Sequence, residues 1–183
     1  MLALAVEYSV YARAVHCRIA SLLLVALALF LTACGTNYRY EYRYVPGKTA
    51  TLIDGQAVAP ENAPDKVHAA IAAANSIAGS RYERGGGHGG RNDGCFDCSG
   101  ATSFVLRNAG LLRSDMPSVG FRKYGRDGDE EDWISVWARK GHVFMVIAGL
   151  RFDTGWHGQE EGPRWTTKSR PAKGYVIRQP SGL

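Results

Sequence analysis

The apolar positions change period along the chain, and each change marks an element. Over 65–78, Val67, Ile71, Ala74 and Ala78 recur on one helical face, with Pro64 before them and Gly79 just beyond. This predicts a helix that packs on a sheet. A second helix is predicted over 98–112, where Ala101, Val105, Ala109 and Leu112 fall in line. Between them, 82–94 is rich in glycine and has no period, which marks a loop able to approach other groups closely. After a polar stretch the pattern turns to strands, over 134–138, 142–148 and 151 to about 157, with 175–177 a further candidate. Gly149-Leu150 fits a type II′ hairpin turn, with Gly at its first central position. That turn would set Val146 opposite Asp153, Phe144 opposite Gly155 and His142 opposite His157 on one face. Val143, Met145, Ile147, Phe152 and Trp156 would line the core face. Helices followed by an antiparallel sheet make an α+β fold.

Upstream the pattern differs. Arg13 and Arg18 precede an apolar run over 19–31, which ends in Leu31-Thr32-Ala33-Cys34. Small residues before a cysteine form a lipobox, in which the Cys34 thiol takes a diacylglycerol before cleavage. The run is shorter than the roughly 20 apolar residues that span a bilayer, so a lipoprotein signal is the better reading. The expected organisation is a signal peptide over 1–33, lipidated Cys34 with a tether over 34–64, and one domain over 65–183. Residues 1–12 precede the usual basic region, and translation starting downstream of them is equally compatible. In the tether, Tyr38, Tyr40, Tyr42 and Tyr44 alternate with polar residues, and Pro46, Pro60 and Pro64 punctuate it. A chain starting near Pro64 is expected to keep its activity.

Composition then bounds the class. Apolar residues make up 45% and charged residues 21% of 183, which places the chain with folded globular proteins and not with disordered ones. The formal charge of +5 falls to +4 when Arg13, Arg18 and Glu7 leave with the signal. A basic exported protein suits the anionic polymers of a cell envelope, and export argues against nucleic acid as partner. Gly35 rather than Asp after Cys34 directs the lipoprotein to the outer membrane of a Gram-negative host.

Cys98 lies in Asp97-Cys98-Ser99-Gly100, at a predicted helix start just after the glycine-rich loop. A helix N-terminus favours thiolate over thiol and offers free N–H groups to an oxyanion, while Asp97 caps the helix. The carboxylate of Asp97 opposes the thiolate, so a histidine partner is needed. Without such a partner Cys98 would be a buried, inert thiol.

The run Tyr82-Glu-Arg-Gly-Gly, then Asp97-Cys98-Ser99-Gly100, then Gly141-His142-Val143 resembles the NlpC-type family of papain-like cell-wall peptidases, over roughly 65–180. The resemblance implies a papain-like α+β fold in which Cys98 is the nucleophile, His142 the general base and Tyr82 a hydroxyl near the oxyanion site. It implies a third polar residue that orients the imidazole. Asp153 is favoured, being an acceptor on the His142 face; Thr154 points to the core side, and His157 lies opposite His142. The resemblance implies no cofactor and peptidoglycan stem peptides as substrate; with the lipobox, a monomer held to the membrane through Cys34 and without a metal is expected. His88, Ser99 and His157 are expected at the substrate. The family's Pro-Gly-Asp before the histidine strand is absent; Gly128-Asp129 comes earlier.

Other readings stay beside this one. Cleavage could fall on a stem-peptide bond or on the muramyl-alanine amide, as in the related CHAP-type amidases, and an inactive wall-binding lipoprotein is a further class. Cys95-x-x-Cys98 could be a redox pair, with Cys95 closing a disulfide that silences Cys98, or Cys95 could be a small apolar filler. Zinc wants about four ligands, and the two cysteines with His88 fall short. His88 is either a cleft residue or a solvated loop histidine, and His68 is expected at the surface. Arg164, Trp165, Trp133 and Trp137 could touch substrate or pack. Asp153 could also pair with Arg151.

Overall fold

The apolar stripe over 65–78 becomes α1 (Asp65–Ile77), which buries Val67, Ile71 and Ala74 behind Pro64 at its N-cap. The second stripe becomes α2 (Cys98–Asn108), which buries Ala101, Val105 and Leu106. It stops short of Leu112 because Gly110 adopts a left-handed φ of +68°. The computed structural model describes residues 39–89, 94–155 and 161–183. The signal segment, Cys34, Trp156 and His157 lie outside these.

The chain enters at β1 (Arg39–Tyr40), forms the hairpin β2 (Thr51–Ile53) and β3 (Gln56–Val58), and runs through α1 to β4 (Arg81–Tyr82). β5 (Cys95–Phe96) leads into α2, and α3 (Ser118–Phe121) is a single turn. The remaining strands are β6 (Arg126–Asp127), β7 (Ile134–Arg139), β8 (His142–Ile147), β9 (Leu150–Asp153), β10 (Arg164–Thr166), β11 (Arg170–Pro171) and β12 (Val176–Gln179). Six of them form one antiparallel sheet in the order β10-β9-β8-β7-β12-β6. α1 and α2 pack on each other, and α2 packs on β8. The fold is α+β.

Alternation along the sheet puts Ile134, Val136, Ala138, Val143, Met145, Ile147 and Phe152 in the core beneath the helices. The other face is covered too, since Trp137, Phe144 and Val146 form a second buried cluster with Tyr40 and Ala172. Trp137 stacks on Phe144 at 5.3 Å and spends its N–H on Ser135 Oγ at 2.9 Å, so it packs and does not face a ligand. Trp165 is likewise buried, 4.9 Å from Phe152.

Two expectations are corrected. The hairpin between β8 and β9 turns one residue earlier than predicted: Ile147 pairs with Leu150, Val146 with Arg151 and Met145 with Phe152. Ala148 and Gly149 are the central residues, both at positive φ (45° and 72°), which is the pattern of a type I′ turn. The strained alanine is held by its surroundings, because its N–H donates to Trp133 O at 2.7 Å and its carbonyl accepts from Ala50 N at 2.8 Å. Each partner shifts by two residues, so faces are kept while Asp153 moves one same-face step closer to His142.

The tether is the second correction. Residues 39–64 belong to the same compact unit as 65–183 and are no loose tether. Arg39 pairs with Pro171 and Tyr40 with Arg170. The buried Tyr40 hydroxyl donates to Gly149 O at 2.8 Å and accepts from Arg151 N at 3.1 Å. Tyr42 donates to Ala50 O at 3.1 Å, and Asn75 of α1 bonds both backbone groups of Ala57 in β3. A chain starting at Pro64 therefore loses the cover of the second cluster. Burying one large aromatic is worth about 3–5 kcal/mol, a large part of a domain's usual stability of about 5–15 kcal/mol. The truncated chain is expected to melt at least about 10 °C lower, or to be insoluble. Thermal unfolding followed by circular dichroism checks this.

Candidate active site

The glycine-rich loop and the start of α2 form one unit. Gly86 O accepts from Asp97 N at 3.1 Å, and Gly85 N donates to Asp97 Oδ2 at 2.9 Å. The approach is close: a Cβ on Gly100 would lie 1.9 Å from Gly86 O, and one on Gly87 would lie 2.3 Å from the Phe96 ring. The expected close-approach loop is thus one that packs on the helix bearing Cys98.

Asp97 caps α2, accepting from Gly100 N at 2.7 Å and from the Ser99 hydroxyl at 2.9 Å. Burial opposes its charge, but the Gly100, Ser99 and Gly85 hydrogen bonds and the charge of His88 together hold its carboxyl below the usual range. His88 Nε2 lies 3.2 Å from Asp97 Oδ1 and 3.2 Å from Ser99 Oγ. His88 thus belongs to the cap and is half-buried, not a fully solvated loop histidine. Ser99 is buried with its hydroxyl committed to Asp97, so only its backbone N–H reaches the thiol.

Cys98 is partly buried against the core. Burial pushes its thiol up from the ordinary value, the N–H groups of Val143 and Ser99 act to lower it, and the charges of Asp97 and Asp153 raise it. Desolvation and carboxylates outweigh the helix terminus that predicts a thiolate. In the resting site Cys98 is therefore a neutral thiol at pH 7, and its sign follows: alkylation by iodoacetamide should rise about tenfold per pH unit up to and beyond pH 8.5, with no plateau near neutrality. Stopped-flow or mass-spectrometric rates check this, and a plateau below pH 7 would show a preformed thiolate.

The Val143 N–H against the thiol fixes where β8 meets α2. His142, the adjacent residue, alternates to the other face and directs Nε2 to Asp153 Oδ1 at 2.8 Å. In the observed register the two residues are diagonal neighbours across β8 and β9, within reach of such side chains. Asp153 is buried and fully used. Oδ1 also accepts from Thr154 N at 2.8 Å, while Oδ2 accepts from Arg151 at 2.9 Å and Arg170 at 2.7 Å. Pairing with Arg151 and contact with His142 thus occur together. Burial pulls Arg151 down to about 10, with Asp153 opposing. Tyr82 lies in half-buried surroundings, its phenol pushed up by burial and then by the charges of Cys98 and Asp97, which places it near Cys98. His157 lies outside the described residues.

Sequence reasoning missed Arg170 and Tyr175. Arg170 NH2 donates to Tyr175 Oη at 3.3 Å, and the Tyr175 ring meets the His142 ring edge-on at 6.4 Å. Neither stands near the motifs in sequence, and no periodicity singles them out.

Cys95 is buried and accepts from Arg81 at 3.3 Å, and no disulfide joins it to Cys98. In the parallel β4–β5 pair, Arg81 stands beside Cys95 and Tyr82 beside Phe96. Alternation puts Cys95 on the face away from Tyr82. Tyr82 is the residue that lies near Cys98, so the geometry favours the filler reading of Cys95 over the disulfide.

No protein-family model matches the chain, and no curated protein matches it.

Proposed function

We propose that this chain is an NlpC-type, papain-like cysteine peptidase that hydrolyses amide bonds in the stem peptides of peptidoglycan, held at the membrane of the cell envelope by lipid on Cys34. One observation supports the reading: Asp153 bonds His142 Nε2 at 2.8 Å, while the thiol of Cys98 meets the N–H of Val143, the residue next to His142, and feels the charge of the same Asp153 carboxylate. With Nε2 engaged by Asp153, Nδ1 is the ring nitrogen that takes the thiol proton. The sulfur then attacks the amide carbonyl, forming a C–S bond, and the first N–H groups of α2 with the Tyr82 hydroxyl receive the oxyanion. The imidazolium protonates the departing amine as the C–N bond breaks. Water, deprotonated by His142, cleaves the thioester and restores the thiol. The basic charge and the lipobox support a wall polymer as substrate.

The test is incubation of the mature protein with purified peptidoglycan followed by mass spectrometry of the soluble fragments. New peptide termini within the stem are expected. Release of intact stem peptides from muramic acid would assign the amidase reaction, and unchanged fragments with retained pelleting on the wall would assign a binding protein.

A further inference from the structure

Four large apolar side chains stand exposed near the point where the chain enters the fold: Tyr44 at 58%, Val45 at 45%, Ile53 at 55% and Val58 at 48%. Three of them are linked through Val58, and Val45 follows Tyr44 in the chain. Tyr44 and Val58 line one open groove of about 540 Å³, which holds neither Cys98 nor His142. Thr51 pairs with Val58 and Ile53 with Gln56, so Ile53 and Val58 are diagonal neighbours on the outer face of the hairpin. The inner face is spent, since Leu52 and Ala57 pack on the core. Apolar side chains grouped in this way on an exposed face mark a contact.

The chain length upstream selects the occupant. Arg39, the first described residue, lies five residues after Cys34, and five residues span at most about 17–18 Å when fully extended. The stretch reserved for a tether is instead part of the domain, so a lipid on Cys34 holds this face close to the bilayer. The side chains suit that position. Tyrosine and aliphatic groups partition to the headgroup boundary, and the exposed Arg39, Arg43 and Lys48 are balanced by the exposed Glu41, Asp54 and Glu61, so net charge does not oppose the contact. We infer that Tyr44, Val45, Ile53 and Val58 form a membrane-contact face that rests on the leaflet carrying the anchor. This face fixes the orientation of the domain, while the lipid supplies attachment. The inference rests on lipidation of Cys34 and is independent of the peptidase chemistry.

Hydroxyl-radical footprinting of the mature lipoprotein on vesicles of phosphatidylethanolamine and phosphatidylglycerol tests it, with the Cys34→Ser protein in solution as reference. Oxidation of Tyr44, Val45, Ile53 and Val58 should fall at least about fivefold on vesicles, with Val119, exposed on α3, changing far less. In the triple variant Tyr44→Ser/Ile53→Ser/Val58→Ser, Val45 should lose its protection although the protein stays vesicle-bound. An acyl mass on the N-terminal peptide with unchanged labelling overturns the contact face and leaves the anchor standing. A missing acyl mass overturns the anchor, and the inference with it. Equal protection without vesicles, together with a concentration-dependent dimer mass, assigns the face to a second copy and also overturns it.

Discussion

Cys98→Ala and His142→Ala are each expected to lower peptide release from peptidoglycan by a factor on the order of 10⁴ or more, with thermal midpoints within a few degrees of the parent. The two residues act as a unit, so the double variant should be no slower than either single one. The reason lies in the resting state of the sulfur. Burial and two carboxylates hold Cys98 as a thiol, and without the imidazole nothing removes its proton at pH 7. Removing His142 takes one partner from Asp153 Oδ1, which keeps Thr154 N, and leaves both arginines paired on Oδ2, so the fold persists. Quantified muropeptide release beside melting curves decides the matter, and unchanged release by either variant at matched folding would sink the dyad.

Asp153 should behave differently, because its loss strikes stability and turnover together. Arg151 is fully buried and Arg170 nearly so, and both donate to Asp153 Oδ2. Asp153→Ala leaves two cations without their counter-charge, which costs about 3–5 kcal/mol when a buried pair is broken from one side. Asp153→Asn keeps the shape and serves as the cleaner test of orientation. Assayed well below its own melting temperature, it should still lose about a hundredfold or more in turnover, since the amide cannot stabilise the imidazolium as a carboxylate does. Thr154→Ala should stay within a few fold. Turnover of Asp153→Asn that merely follows its folded fraction would make Asp153 a structural counter-ion and no orienter.

Much of this was legible in the chain wherever one local rule acted alone. The stripes of α1 and α2, the strand alternation around Val143 and Met145, and the cap at Asp97 follow from period and side-chain chemistry. The rest needed tertiary context. Ala148 has no intrinsic preference for positive φ, and only its bonds to Trp133 and Ala50 hold it there, so the turn was misplaced by one residue. Because that error shifts partners by two, Asp153 still fell on the right face but at the wrong distance. β1 has two residues, too few for any pattern, yet the Tyr40 hydroxyl ties it to Gly149 and Arg151. For Cys98, the helix terminus can be read from sequence, whereas desolvation and the charge of Asp153 come only from the folded chain. His88 was undecided because a loop histidine has no periodic partner; its place is set by a cap it shares with Ser99.

The attachment of β1 also has a mechanical side. A pull applied to the chain at Arg39 is taken up first by the two-residue β1–β11 ladder and by Tyr40, which grips the turn between β8 and β9. Such a short ladder peels before the six-stranded sheet can shear. Tension along the chain would therefore be released at the edge of the domain, through a sacrificial clasp, before it distorts the strands that hold His142 and Asp153.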